Sequence, residues 1–279
     1  MQETANISTL SKIERMRIPC FHVDAFASRP FSGNPAAVCF LDSWLDDAML
    51  RKVAAENNLP ATAFLVECGQ SHEIRWFTAR REINLCGHGT LAAGFVLLNL
   101  TQKSRDRAEF VTRHSGMVAV EKAGEFLRMD FPALAAQPSS QPPERFTKAL
   151  GLSSAPAEVF EAGERYIAVL NQREMVANAS PDFELLKNFY PYVVAITAPG
   201  ENEDFVSRYF APGYGTPEDY VTGSLHCALT PYWSKRLGKT QMHARQLSER
   251  GGELRCEMSG DRVILKGKAV LVMQGYLTI

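Results

Sequence analysis

Short apolar and aromatic runs, separated by turn residues, recur along this chain, and longer stretches with apolar residues on one face fall between them. The runs "IPCFHVDAF" and "AAVCFL" read as strands, joined by the loop "ASRPFSGNP" with its glycine and two prolines. "DSWLDDAMLRKVAAENN" carries apolar residues on one helical face, with Asp42 placed to cap it. "ATAFLVEC" and "SHEIRWFTA" read as a strand pair, followed by the apolar helix "TLAAGFVLLNLTQ". Three strands come next, turning at Ser115-Gly116 and Ala123-Gly124. The proline- and serine-rich "ALAAQPSSQPPE" reads as a linker.

Beyond it the order begins again. A short helix "PERFTKALGL" leads to the strands "APAEVFEAG", "RYIAVLNQ" and "YVVAITAPG", with a helix "DFELLKNFY" between the last two. "DFVSRYFAP" precedes a second apolar helix, "SLHCALTPYWSKRLG", and the strands "ELRCEMSG", "DRVILKG" and "KAVLVMQGYLTI" close the chain. The segments leading into the two apolar helices match in detail. Arg75-Trp76-Phe77-Thr78 heads one and Arg208-Tyr209-Phe210-Ala211 the other, and Glu82 and Glu218 each precede a glycine, Gly87 or Gly223, by the same interval. Aligned on those glycines, Cys86 stands opposite Thr222. A duplication of this kind predicts two similar domains facing each other, with a ligand cleft where both motifs meet.

Composition narrows the possibilities. With 46% hydrophobic and 22% charged residues the chain buries a sizeable core, and a net charge of −1 without blocks of one sign gives no footprint for nucleic acid or a polyanionic membrane surface. The longest apolar run is too short to span a bilayer, and the polar N-terminus does not read as a secretory signal. The six cysteines form no CxxC pair, so reduced thiols and a cytoplasmic location are expected, and no metal site.

The candidate chemistry lies in "REINLCGHGTLAAG" and "PEDYVTGSLHCALTPYW". A glycine-bracketed turn feeding a helix presents unpaired N–H groups and the positive end of the helix dipole, a ready site for a carboxylate. The same field favours thiolate over thiol at Cys86. Cys20, Cys39, Cys68 and Cys256 read as small buried hydrophobes, His22 and His72 as structural strand-face residues, and His114 and His243 as exposed. His88 and His226 stand apart because each lies beside a motif glycine.

Together with "DAFASRPFSGNPAAV", these motifs resemble the phenazine-biosynthesis PhzF-like family, itself similar in fold to diaminopimelate epimerases and proline racemases. The resemblance runs from about residue 18 to the C-terminus. It implies an α+β fold of two similar domains, each a curled mixed sheet wrapped around a central helix and related by a pseudo-twofold axis. The domains would span 18–132, with the last ten residues or so completing that sheet, and 145–268. It also implies a homodimer, a small carboxylated substrate, and neither metal nor organic cofactor. By position, His88, Asp219 and Ser224 fall on the family's catalytic residues, and Asn34 on a substrate contact. Cys86 matches one catalytic cysteine of the epimerase branch, with Thr222 in place of the other. Gly87, Gly89, Thr222 and Gly223 frame the substrate.

Two positions depart from the pattern. The family's catalytic glutamate lies in a segment resembling "NLSETAF", where this chain has "NLPATAF" and hence Ala61; Tyr220 stands where relatives usually have proline. The expected function is a cofactor-independent isomerase moving a proton within a small carboxylated metabolite. The alternatives are a catalytically silent small-molecule-binding protein of the same fold, and a related lyase or epimerase using Cys86.

Overall fold

The computed structural model describes residues 16–139 and 145–279. The polar N-terminal stretch and the end of the proline-rich segment lie outside them. The first half contains strands β1 (Arg17–Ala25) and β2 (Asn34–Leu41), helix α1 (Asp47–Asn57), strands β3 (Ala61–Cys68), β4 (Ser71–Phe77) and β5 (Glu82–Ile83), and the central helix α2 (Gly87–Phe95), which runs on into a π-helical turn. Strands β6 (Arg107–Thr112), β7 (Met117–Ala123) and β8 (Phe126–Pro132) follow. The second half has β9 (Gln137–Pro138), α3 (Phe146–Ala149), β10 (Glu158–Glu161), β11 (Arg165–Val169), α4 (Arg173–Ala177), α5 (Phe183–Lys187), β12 (Val193–Pro199), β13 (Phe205–Ala211) and β14 (Thr216–Asp219). The second central helix, α6 (Gly223–Leu237), then precedes β15 (Gln241–Gln246), β16 (Gly252–Ser259), β17 (Arg262–Gly267) and β18 (Ala269–Thr278).

The strand pairings repeat. In the first half β1–β2 is antiparallel, β2–β3 parallel, β3–β4 antiparallel and β4–β6 parallel. In the second, β10–β11, β11–β12, β12–β13 and β13–β15 follow the same sequence of directions. The protein is thus an α+β fold of two similar domains, each a mixed sheet curled around one central helix. β8 pairs antiparallel with β17 to join the two sheets, and β18 pairs with β1 along nearly its whole length.

Alternation sorts the core into layers. Along β2, Ala36 and Val38 face α2 in the large central cluster, while Ala37 and Cys39 face α1 on the other side. In the second domain α3, α4 and α5 cover the outer face through Phe146, Val176 and Leu186. Both faces of these strands are buried, which explains runs such as "AAVCFL" that show little polar alternation.

Some local expectations are corrected. The cap of α1 is Asp46, whose carboxylate accepts the Met49 N–H at 2.7 Å, and not Asp42, which lies before a stretch of loop. Helix α4 and strand β15 escaped the sequence reading because both are short, five and six residues. The linker is tied down at its start. Pro231 inside α6 has no N–H to give the Cys227 carbonyl one turn back, and that carbonyl accepts the Leu134 N–H at 2.9 Å instead. Farther along, Gln137–Pro138 pair with β10. All six cysteines are free; Cys20 and Cys39 lie side by side across β1–β2, but Cys68, at the end of β3, is exposed rather than buried. His243 is half-buried on β15, not exposed.

Gly94 in α2 shows how closely helix and sheet approach. A Cβ there would stand 2.5 Å from Val120 on β7. Gly94→Ala would gain about 1 kcal/mol of helix propensity, yet overpacking costs about 1–3 kcal/mol. Urea denaturation is expected to show a net loss for Gly94→Ala and recovery in the double variant with Val120→Ala. An unchanged or raised midpoint for the single variant would contradict this packing.

Candidate active site between the central helices

The two central helices meet tip to tip. A Cβ built on Gly87 would lie 3.7 Å from the Gly223 Cα, so the two first turns come within a methyl group of touching. Cys86 and Thr222, opposed in the sequence alignment, hold the same structural place: each is the N-cap of its helix.

They cap differently. The Cys86 sulfur accepts the Gly89 N–H at 3.4 Å, and Gly89 must be glycine there, since a Cβ would fall 2.9 Å from Trp76 and 3.0 Å from that sulfur. The Thr222 hydroxyl turns away from its helix and donates to Asp219 Oδ2 at 2.5 Å, leaving α6 without a side-chain cap. The first N–H groups of α6 are therefore available to an anion.

A network crosses between the domains at this point. Asn34, fully buried at the start of β2, donates through Nδ2 to Asp219 Oδ1 at 2.7 Å and to the Val221 carbonyl at 2.9 Å. The same nitrogen is 3.2 Å from His88 Nδ1. The two amide hydrogens are shared among these three acceptors, so His88 Nδ1 carries no proton and the ring proton is placed on Nε2. The Cys86 sulfur lies 3.5 Å from His88 Nδ1 and 3.7 Å from Nε2.

Burial decides the charge states. Cys86 is 4% exposed, and desolvation pushes its thiol up to about 12, against the smaller lowering by the Gly89 N–H. The helix-dipole expectation of a thiolate is thus overturned: without a ligand, Cys86 is a neutral thiol. Desolvation also lowers His88, with Asp219 opposing, so the imidazole is neutral.

A cavity of about 690 Å³ opens at this junction, lined by Cys86, His88, Asp219, Thr222 and Ser224, with Gly87 and Gly223 at its floor. A family model described as phenazine biosynthesis-like protein (PhzC-PhzF) matches residues 23–275. The chain belongs to this family. An uncharacterized isomerase of Pseudomonas aeruginosa is 46% identical over 94% of this chain and 99% of its own length. The crystal structure of a PhzF-family phenazine biosynthesis protein from Enterococcus faecalis superposes with a TM-score of 0.90 at 43% identity, covering 95% of this chain and all of that one. At 8% identity and a TM-score of 0.59, a hydroxyproline epimerase from Agrobacterium vitis shares the fold alone. The family and its relatives support an isomerase-like function.

Within this family frame, the site residues read from sequence do not all play alike. Asn34, Cys86, His88, Asp219 and Thr222 converge. Ser224 stands at the cavity wall, its hydroxyl accepting from Arg165 Nη2 at 3.3 Å. His226 does not reach the cavity; it is buried in α6, its ring Nδ1 2.8 Å from the Thr222 carbonyl. Ala61 is buried on β3, in register with Ala36, its side chain in the core around α2 and outside the cavity lining. Tyr220 has a local reason to replace proline: the Arg250 guanidinium lies 5.5 Å over its ring while binding Asp24 at 2.7 Å. Among the described residues no three metal-ligating side chains gather. No described helix is long and apolar enough to cross a membrane.

Gln246 was missed. Buried at the end of β15, it accepts the Thr222 N–H at 2.9 Å and donates to the Asp219 carbonyl at 2.7 Å, clamping both residues. The alternation Met242, Ala244, Gln246 was its only signal, and a polar residue on the inward face concealed it. Arg165 and Leu134, also in the cavity wall, lie in no motif, while Tyr209 beside them belongs to the segment that heads the second repeat.

Burial drops the pKa of His226 to about 4 from the usual 6.5. The unfolded chain then binds the extra proton throughout that interval, and stability falls as pH drops from about 6.5 to about 4. The loss approaches about 1.4 kcal/mol per pH unit. His72 and His88 are lowered as well and act in the same direction, so the contribution is isolated by substitution. Urea midpoints at pH 7 and pH 4.5 should differ by less in His226→Gln than in the parent; equal differences would contradict the assignment.

Proposed function

We propose that the chain is a cofactor-independent isomerase that moves a proton within a small carboxylated metabolite, in the cleft between the two central helices. The observation that supports this reading most is the continuous Cys86–His88–Asn34–Asp219–Thr222 network where two helix N-termini converge. The substrate carboxylate sits at the open first turn of α6, beside Gly223 and Ser224. Its acidified carbon then faces Cys86 and His88.

The neutral thiol and neutral imidazole act as a relay. Cys86 passes its proton to His88 as its sulfur takes the substrate proton, and the electron pair of the C–H bond moves toward the carboxylate. Return of the proton at another carbon restores both groups. Asp219, held by Asn34 and Thr222, steadies the imidazolium that forms in between, as a nearby carboxylate favours the charged ring. Because the Thr222 hydroxyl donates to Asp219, the second helix offers no second base, and the chemistry is one-sided: a shifted double bond rather than an inverted centre.

A binding protein without turnover is the second reading, and Ala61 is what favours it. Its Cβ points to the same sheet face as Ala36 and Asn34, so an acidic side chain at that position would extend toward the α2 side of the cleft.

Incubation in D₂O with pooled amino acids and unsaturated cyclic carboxylates, read by mass spectrometry, tests both. Uptake of one deuteron is expected from the parent and should fall by about 10²–10⁴ in Cys86→Ala. Racemisation with Cys86 and Thr222 intact, or uptake indifferent to Cys86→Ala, would sink the one-sided mechanism. Uptake by Ala61→Glu alone would establish the binding-protein reading.

A further inference from the structure

Most partly buried arginines here are neutralised. Arg75 is held by Glu82 through two bonds of 2.7 and 2.6 Å, and Arg208 by Glu218 through two of 2.8 Å. Arg165, at the start of β11, is an exception. Its Nη1 donates to the Ala162 carbonyl at a long 3.4 Å, its Nη2 to Ser224 Oγ at 3.3 Å, and its buried Nε meets no acceptor. Among the described residues no carboxylate lies within 4.0 Å of the guanidinium. A guanidinium carries five donors in a planar fork suited to a carboxylate, and leaving them half-used away from water is costly.

Arg81, on the β4–β5 turn of the other domain, makes no ion pair among the described residues either. Its guanidinium lies 4.9 Å over the ring of Tyr214. Both arginines line the main cleft, and both line a smaller adjoining cavity of about 340 Å³ with Tyr209 and Tyr214. Glu164 also borders that smaller cavity, exposed and beyond ion-pair distance of either arginine. The cleft therefore continues past Ser224 into a side chamber walled by one unpaired cation from each domain.

We propose that Arg165 and Arg81 receive a second carboxylate of the substrate, so that the natural substrate is a dicarboxylate bound at both ends. This rests on the carboxylate site at the helix tips described above. One acid group is held at α6 beside the reacting carbon; the other, at the arginines, fixes which neighbouring carbon faces Cys86. The position spans the domains, so the distal carboxylate also draws them together around the substrate.

Calorimetry on the full chain at fixed ionic strength tests this with three rigid probes: benzoate, isophthalate and terephthalate. At least one dicarboxylate is expected to bind about tenfold or more tightly than benzoate, as a charged bidentate contact allows. Arg165→Gln should erase that advantage while leaving benzoate within about twofold, which also shows the variant to be folded. Arg81→Gln should reduce it. Arg105→Gln, the same charge change on an exposed loop, should preserve it. An advantage that survives Arg165→Gln, or none in the parent, overturns the second subsite and leaves the helix-tip site standing. Loss of benzoate binding in Arg165→Gln would assign the arginine to the first carboxylate and overturn the two-ended arrangement. Binding of no probe by the parent overturns the helix-tip site and this one together.

Discussion

Two helix N-termini pointed at each other create an electrostatic constraint. Each carries about half a unit of positive charge, and their first glycines are separated by little more than a methyl group. Like ends this close repel unless negative charge lies between them. Asp219 supplies it from the protein side, fixed by Asn34 from one domain and by Thr222 and Gln246 from the other. The rest of the fold holds the tips against this repulsion. The β8–β17 ladder joins the sheets, and the β1–β18 ladder stitches the end of the chain to its beginning. In each domain a bidentate arginine–glutamate pair, Arg75–Glu82 or Arg208–Glu218, braces the hairpin that delivers the chain to its helix. An anionic ligand would relieve the same repulsion, which makes binding and domain arrangement parts of one balance.

Burial and dipole compete at Cys86, and burial wins. The N–H of Gly89 and the helix end both favour a thiolate, but a residue only 4% exposed has lost the water that would solvate the charge. The outcome is a neutral pair with His88, also kept uncharged by burial. Such a pair places no charge in the cleft and avoids an isolated buried ion. On the proposed reading, a proton moves through it when a substrate completes the shell.

The duplication was legible because the chemistry that builds it is local. An arginine on one strand and a glutamate on the next recur ahead of a glycine at a helix start, the glutamate by the same interval in both repeats, and the structure turns each recurrence into the same ion pair and the same turn. The convergence of His88, Asp219 and Asn34 was legible only through family resemblance, since Asn34 and Asp219 lie on opposite domains. Gln246, Arg165 and Leu134 were not legible. Their places depend on a polar residue facing inward, on which side chain lacks a partner, and on a carbonyl left free by Pro231. None of these leaves a pattern in the chain beyond the faint alternation that ends at Gln246. His226 misled for the reverse reason: it sits beside a motif glycine, but the helix turns it into the core.

The two halves have kept their geometry while dividing the chemistry. At equivalent N-caps, one repeat has a thiol that bonds its own helix and the other a hydroxyl that has left its helix for Asp219. The first repeat thereby keeps the groups that can exchange a proton, Cys86 and His88. The second keeps an uncapped helix start, the Ser224 hydroxyl and the Arg165 guanidinium, all suited to holding negative charge. A symmetric pair of caps would place equal bases on either side of a carbon, as inversion of a centre demands. Divergence at Cys86 and Thr222 removes that symmetry at its one indispensable point. On the proposed reading, such a cleft would grip from one side and move a proton on the other.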